Sequence, residues 1–290
     1  MITRFAPSPT GPLHLGHAYS AMLAHDMARA QGGQFLLRIE DIDQTRARPH
    51  WEEQIYEDLT WLGITWDAPV MRQSDRHETY RAALQTLWDQ GLLYPCRCNR
   101  RDILAAASAP QEGAEPAFGP DGPIYPGTCR HRHIAGAQPM PTEAALRINL
   151  DRALARFDSL SDLFFEEMGD VTDHQPTRIH FRPEALKSEV GDFIVSRREF
   201  LGSYHLSVVL DDAAQGITHV IRGADIFEAT KIHVFLQGLL GLGTPTYNHH
   251  RLIRDAAGKR LAKRDDARAI AKYRADGASP GDIRRMVGLA

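Results

Sequence analysis

Residues 4–17 read RFAPSPTGPLHLGH, and no other stretch constrains the fold as tightly. The short apolar start at residues 2–6 predicts a first strand. Pro7, Pro9, Gly11 and Pro12 then interrupt any regular element and impose a shaped loop. His14 and His17 follow, with Gly16 between them. Ala18, Met22, Met27 and Ala30 fall at helical spacing until Gly32 and Gly33 stop the helix. A strand, a tight loop and a helix N-terminus together form an anion site, because free backbone N–H groups and the helix dipole point at the ligand. Gly16 allows close approach there, and two imidazoles three residues apart can donate to phosphate oxygens. Taken alone, His-x-x-His is a short motif that a surface pair satisfies equally well.

With 290 residues, 43% of them hydrophobic, the chain can bury a substantial core in one or two domains. Its net charge of -3 and pI near 6.5 announce no nucleic-acid partner globally, so any such surface must be local. No run of 18 apolar residues is present, and the N-terminus lacks the pattern of a secretory signal. The expectation is a cytoplasmic protein with no membrane partner. Three cysteines, two of them separated by one residue, form no disulfide framework; they raise the question of a metal.

Residues 34–39 (QFLLRI) predict a buried strand that ends in acid at Glu40, Asp41 and Asp43. Open α/β sheets place ligand contacts at such strand ends. Residues 51–62 and 75–87 predict helices whose Trp, Tyr and Leu positions are core. Residues 91–133 change character. Cys96-Arg97-Cys98 is followed by a segment rich in Ala, Pro and Gly, then by Tyr125 and Cys129. Three thiolates suit zinc with a fourth ligand, for which Tyr125, His131 and His133 are candidates. Arg97, Arg100, Arg101, Arg130 and Arg132 form either a solvated face or a phosphate-neutralising patch. Residues 135–142 predict a linker, and a buried strand begins near residues 192–195. Residues 206–210 and 217–221 predict two core strands joined by a turn, with Asp211, Asp212 and Arg222 at their ends. Residues 231–242 predict an amphipathic helix.

The ungapped string APSPTGPLHLGHA resembles the "HIGH" signature of class I aminoacyl-tRNA synthetases, in the version carried by glutamyl- and glutaminyl-type enzymes. LLRIEDIDQTR resembles their second signature, and residues 204–225 continue the likeness. The resemblance implies that Arg4, Ala6, Ser8, Glu40, Tyr204 and Arg222 hold glutamate, with Glu40 on its amino group and Arg222 on its side-chain carboxylate. An arginine fork is the natural bidentate partner of a planar carboxylate. It also implies that His14, Gly16, His17 and Lys263 bind ATP, with His14, His17 and Lys263 catalytic and Mg²⁺ accompanying the nucleotide. Lys263 lies in Gly258-Lys-Arg-Leu-Ala-Lys-Arg264, which falls where the family has its "KMSKS" loop. Arg260 replaces the first lysine of that motif, and Ala262 and Arg264 replace its serines. Some glutamyl-type enzymes hold a structural zinc with C-x-C and Y-x-x-x-C, the spacing of Cys96, Cys98, Tyr125 and Cys129.

The implied fold is α/β: a class I synthetase Rossmann-like parallel sheet with an inserted zinc-containing α+β acceptor-type subdomain and a short helical C-terminal stem-contact segment. Its expected parts are 1–90 and 191–245 as the two halves of the catalytic domain, 91–190 as the insert, and 246–290 as the KMSKS-like loop with terminal helices. Glutamyl-tRNA synthetases continue beyond that loop into an anticodon-binding domain, for which this chain has no room. It therefore looks like the glutamyl-Q tRNA(Asp) synthetase family. Such stand-alone catalytic cores activate glutamate and attach it to queuosine in the anticodon of tRNA(Asp). The implied partners are ATP, L-glutamate and queuosine-containing tRNA(Asp), acting on a monomer. Two other readings are a minimal glutamyl-tRNA synthetase that charges the tRNA 3′ end, and a non-catalytic zinc-dependent RNA-binding paralogue.

Overall fold

The structure is a computed structural model that describes residues 1–108, 117–132, 138–157, 162–254 and 268–289. The chain opens with β1 (Ile2–Phe5), α1 (Leu15–Ala30) and β2 (Gln34–Ile39), as the alternation of apolar strand and periodic helix predicts. The turn between α1 and β2 needs glycine at position 33, where a Cβ would lie 2.1 Å from the Met1 carbonyl oxygen. Next come α2 (Pro49–Trp61), β3 (Met71–Arg72) and α3 (His77–Asp89), the last reached through a 3₁₀ turn at Gln73–Arg76. Strands β1, β2 and β3 are parallel, in the order β1-β2-β3, with Arg4 opposite Leu36.

A second, antiparallel sheet follows. It contains β4 (Leu93–Cys96) and is reached again after α4 (Arg100–Ser108) and the small hairpin β5 (Phe118–Gly119) and β6 (Gly122–Pro123). Strand β7 (Ala145–Ile148) is its centre, and β10 (Ile194–Ser196) its far edge. Between those two strands lie α5 (Leu150–Leu154), β8 (Leu163–Glu167), β9 (Thr177–Phe181) and α6 (Leu186–Glu189).

After β10 come α7 (Tyr204–Ala214), β11 (His219–Gly223), α8 (Thr230–Leu240) and β12 (Thr246–His250). Strands β11, β12 and β8 run parallel, and β9 closes that edge antiparallel. This group meets the first parallel group beside β1, where the Thr218 N–H donates to the Ile2 carbonyl at 3.0 Å. The chain thus leaves β1 toward β2 on one side and β11 toward β12 on the other. A topological switch point of this kind opens a crevice at the carboxyl ends of the strands. Finally α9 (Ile270–Ala275) and α10 (Pro280–Val287) return to pack on α1, with Ile270 N–H bonded to the Leu13 carbonyl at 2.8 Å.

Residues 206–210 differ from expectation: they are helical, not a strand. Ser203 caps α7 by accepting from Leu206 N–H, and the helix is covered on nearly every side, so an apolar run with two valines carries no 3.6-residue pattern to betray it. Asp211 and Asp212 are therefore buried helix residues. Asp211 binds Gln73, Arg76 and Tyr80, which docks α3 on α7. Helix α8 was expected to be amphipathic, yet Thr230, Ile232, His233, Val234, Phe235, Leu236 and Gln237 are all buried. Its polar positions face other protein groups instead of water. No helix among the described residues is long and apolar enough to cross a membrane.

Candidate active site and thiol cluster

A cleft of about 580 Å³ opens at the switch point between β1 and β11. It is lined by every residue the sequence nominated for glutamate and nucleotide except Lys263, namely Arg4, Ala6, Ser8, His14, Gly16, His17, Glu40, Tyr204 and Arg222. Lys263 and the rest of the segment 258–264 lie outside the described residues. The flanking chain is at the cleft on both sides: Leu252 and Ile253 line it, and Ala269 forms a bridge with His14.

The nucleotide side is built by the N-terminus of α1. His14 caps the helix, its Nδ1 accepting from Gly16 N–H at 3.1 Å, while His14 N–H donates to His17 Nδ1 at 3.2 Å. The two rings stack with centroids 3.8 Å apart. Because each Nδ1 accepts, each ring carries its proton on Nε2, the form that donates to an anion. A Cβ at position 16 would lie 3.0 Å from His14 Cε1, so any larger residue there would press on the capping imidazole.

The amino-acid side rests on a buried charge network. Asp212 takes Arg4 Nε and Nη2 at 3.0 and 3.3 Å, and Arg38 Nη1 at 2.7 Å. Arg38 Nη2 then reaches Glu40 Oε1 at 3.3 Å. Burial pushes the Asp212 carboxyl up, but Arg4 and Arg38 outweigh it and hold that carboxyl below the usual range. Burial wins at Glu40, whose pKa is raised despite Arg38 and Arg4.

Arg222 is different. It is 5% exposed, and among the described residues no ion pair joins it. Its guanidinium donates to three neutral groups: His249 Nε2 at 3.0 Å, His233 Nδ1 at 2.9 Å and Thr230 Oγ1 at 2.6 Å. The Tyr247 ring lies 4.9 Å below it. Register explains the first contact, since Arg222 and His249 are directly opposite across β11 and β12. Burial, and then Arg222 itself, hold His233 well below its ordinary pKa, so this neighbour stays uncharged. His249 is likewise lowered by burial, although Glu167 at 2.5 Å from its Nδ1 works against this. Removing a cation from water costs on the order of several kcal/mol unless a counter-charge arrives. A cleft wall carrying such a guanidinium offers a carboxylate the counter-charge it lacks.

The thiols converge at the end of β4. Cys98 and Cys129 Sγ are 3.6 Å apart, and Cys96, Cys98 and Cys129 lie mutually within 4.8 Å. Zinc–sulfur bonds of about 2.3 Å in a tetrahedron place sulfurs about 3.8 Å apart, so the spacing fits that ion. Among the candidates for a fourth ligand, the Tyr125 hydroxyl is 3.5 Å from both Cys96 and Cys98 Sγ. It also accepts from Cys129 N–H at 2.9 Å. His131 is exposed, and His133 lies outside the described residues. Burial pushes the Cys98 thiol up to about 11. Of the neighbouring arginines, Arg130 is committed to Asp192 and Asp151, whereas Arg97, Arg100 and Arg101 are exposed. The phosphate-patch reading therefore loses Arg130 and keeps those three.

Sequence reasoning missed Arg38, His233, His249 and Glu167, which support the cleft from behind. Their signal was weak: a charged residue inside an apolar strand, and the pair His249-His250 in a short run before a loop.

Comparison with known proteins gives the family. The family model of class I tRNA synthetases (E and Q), catalytic domain, covers residues 1–290. The chain belongs to that family. It is 62% identical over 289 residues to the glutamyl-Q tRNA(Asp) synthetase of Rhodobacter capsulatus, with 100% of both chains covered. It is 42% identical to the enzyme of that name from Symbiobacterium thermophilum, covering 99% of this chain and 86% of the relative. Among solved structures, a glutamate tRNA ligase from Elizabethkingia meningosepticum in complex with its amino acid superposes with TM-score 0.74 at 26% identity. That match covers 100% of this chain and 60% of the ligase. The methionyl-tRNA synthetase of Mycobacterium tuberculosis, at TM-score 0.56 and 12% identity, shares the fold. The class I synthetase fold, with mixed α/β content and a parallel sheet, thus agrees with the expectation from the signatures.

Proposed function

We propose that this class I synthetase activates L-glutamate with ATP and transfers it from glutamyl-adenylate to queuosine in the anticodon of tRNA(Asp). The observation that carries the reading is Arg222, a buried guanidinium with only neutral partners, facing the His14–His17 loop across one cleft. The name shared by relatives up to 62% identical supplies the acceptor.

In this reading the side-chain carboxylate of glutamate docks on Arg222, and Glu40 takes its ammonium group beside Arg4, Ala6, Ser8 and Tyr204. ATP lies over Gly16, with His14 and His17 donating to its phosphates. Mg²⁺, bound with the nucleotide, would offset phosphate charge beside His14 and His17. The α-carboxylate attacks the α-phosphorus in line and pyrophosphate leaves. The acceptor hydroxyl then attacks the mixed anhydride and AMP departs. No protein nucleophile is needed: the chain aligns the reactants and stabilises developing charge with imidazoles and Lys263. Glutamine would leave Arg222 without a counter-charge, which sets the choice of amino acid. Cys96, Cys98, Cys129 and Tyr125 would hold one Zn²⁺, whose chemistry is structural: it closes a segment with almost no core of its own.

The test is transfer of labelled glutamate, with ATP, to two tRNA pools that differ in queuosine. Label confined to the queuosine-containing pool is expected. Equal label on both would mean charging of the 3′ end, and no label on either would mean a binding protein.

A further inference from the structure

Arg222 is tied to the hairpin β5–β6 by an unbroken chain of side-chain hydrogen bonds. Arg222 Nη1 meets His233 Nδ1 at 2.9 Å, His233 Nε2 meets His205 Nδ1 at 3.0 Å, and His205 Nε2 meets Asp121 Oδ2 at 2.7 Å. The two histidines are buried, at 0% and 5% exposure. Asp121 lies at the tip of the hairpin, between Gly119 and Gly122, and its side chain is half-exposed.

The ends of this chain fix its direction. An arginine can only donate and a carboxylate can only accept. His233 Nδ1 must therefore accept, which puts the His233 proton on Nε2. That N–H donates to His205 Nδ1, which puts the His205 proton on Nε2, where it donates to Asp121. One proton pattern satisfies all three bonds. A proton on His205 Nδ1 would face His233 Nε2 and drive the His233 proton to Nδ1, against the guanidinium. In that state Arg222 loses the acceptor at Nη1 and is held only by its bonds to His249 and Thr230.

We propose that Asp121 is a positioning residue for the amino-acid site, selecting through His205 and His233 the tautomer that holds the Arg222 fork in the plane of the substrate carboxylate. This deepens, and rests on, the assignment of Arg222 to glutamate. It also gives the hairpin a task in the cleft. The hairpin is held in place by close backbone approach, since a Cβ at Gly119 would lie 2.3 Å from the Glu189 carbonyl oxygen. Two residues after the hairpin ends, Tyr125 pairs with Gly191 and touches the thiols. The segment that carries the thiol cluster thereby also sets the tautomers behind the glutamate subsite.

Glutamate-dependent ATP–pyrophosphate exchange on the full chain tests this. Asp121→Ala should raise the KM for glutamate about 10-fold, what the loss of one hydrogen bond to a charged group costs, with the KM for ATP unchanged. Asp121→Asn retains an acceptor oxygen and should show a smaller rise. Combining Asp121→Ala with His205→Ala should cost no more than His205→Ala alone, because both changes break one chain. A glutamate KM left at the wild-type value in Asp121→Ala, or glutamate and ATP KM rising together, would overturn the proposal. Absence of exchange by the wild-type chain would instead remove the proposed function, so the two failures are distinguishable.

Discussion

The cleft and the thiol cluster solve the same problem in opposite ways. Both bring together polar groups distant in sequence, and both would be costly to bury alone. In the cleft the fold supplies the counter-charges. Arg4 and Arg38 share Asp212 across 208 and 174 residues of chain, inside walls made by two large hydrophobic clusters. At the cluster, Tyr94, Cys96, Tyr125 and Cys129 are the whole buried core among the described residues, with Cys98 and Ile103 against it. There the polar groups would have to hold the segment, and the proposed metal ion would offer more free energy than four side chains can. One region is a site that the fold supports; the other, with the proposed zinc bound, would support the fold.

The contrast breaks most sharply at Asp212. Asp212→Ala removes the carboxylate that Arg4 and Arg38 share, leaving Arg38 with Glu40 as its remaining counter-charge, and should cost about 3–5 kcal/mol. That corresponds to a drop of roughly 10 °C in Tm for a chain of this size, read by calorimetry. An unchanged Tm would mean that water reaches the network and that the cleft is not held by charge.

Arg222→Ala tests function where Asp212 tests stability. It should lower kcat/KM for glutamate on the order of 100-fold or more, measured by pyrophosphate exchange, while the Tm stays level or rises, because an unpaired buried cation has gone. A fall in Tm without the kinetic loss would turn Arg222 into a structural residue.

At the cluster, Cys98→Ser should reduce zinc from about one ion per chain to a tenth or less. Proteolysis within residues 117–132 should accelerate while glutamate activation persists. Zinc content far below one in wild-type protein purified without chelator would sink the site.

The smallest effect sharpens the comparison from a third place. Asp58 is fully buried in α2, neither carboxylate oxygen has a hydrogen-bond partner among the described residues, and Arg274 stands 3.8 Å away. Burial raises its pKa to about 6, above the unfolded value near 4. The folded state therefore holds this proton more tightly than the unfolded state. Its penalty is absent below pH 4, grows as pH rises through 6, and is complete above. Asp58→Asn should then stabilise by about 1–2 kcal/mol at pH 7.5 and by less at pH 4, allowing for the unpaired amide. An equal Tm difference at both pH values would refute this.

How much of this was written in the sequence depends on the range of the interaction. The first strand, the proline-bounded loop, the helix behind it and the acidic end of β2 are local, and each could be read from spacing, turn chemistry and the synthetase signatures. The thiol spacing likewise anticipated a cluster that the structure closes, with the Tyr125 hydroxyl beside two of its sulfurs. Helix α7 could not be read, because burial on nearly every side erases the helical period that marks an amphipathic segment. The supports behind the cleft were hidden for a related reason. Arg38 looks out of place in an apolar strand until Asp212 arrives from the other half of the sheet, and His249 acquires its task only when β12 pairs in register with β11. The sequence by itself determined which chemical groups sit at the strand ends, because local periodicity and turns set those positions. Only the tertiary structure decided which charges are paired and which, like Arg222, are left with neutral neighbours, because pairing depends on distance in space and on exclusion of water.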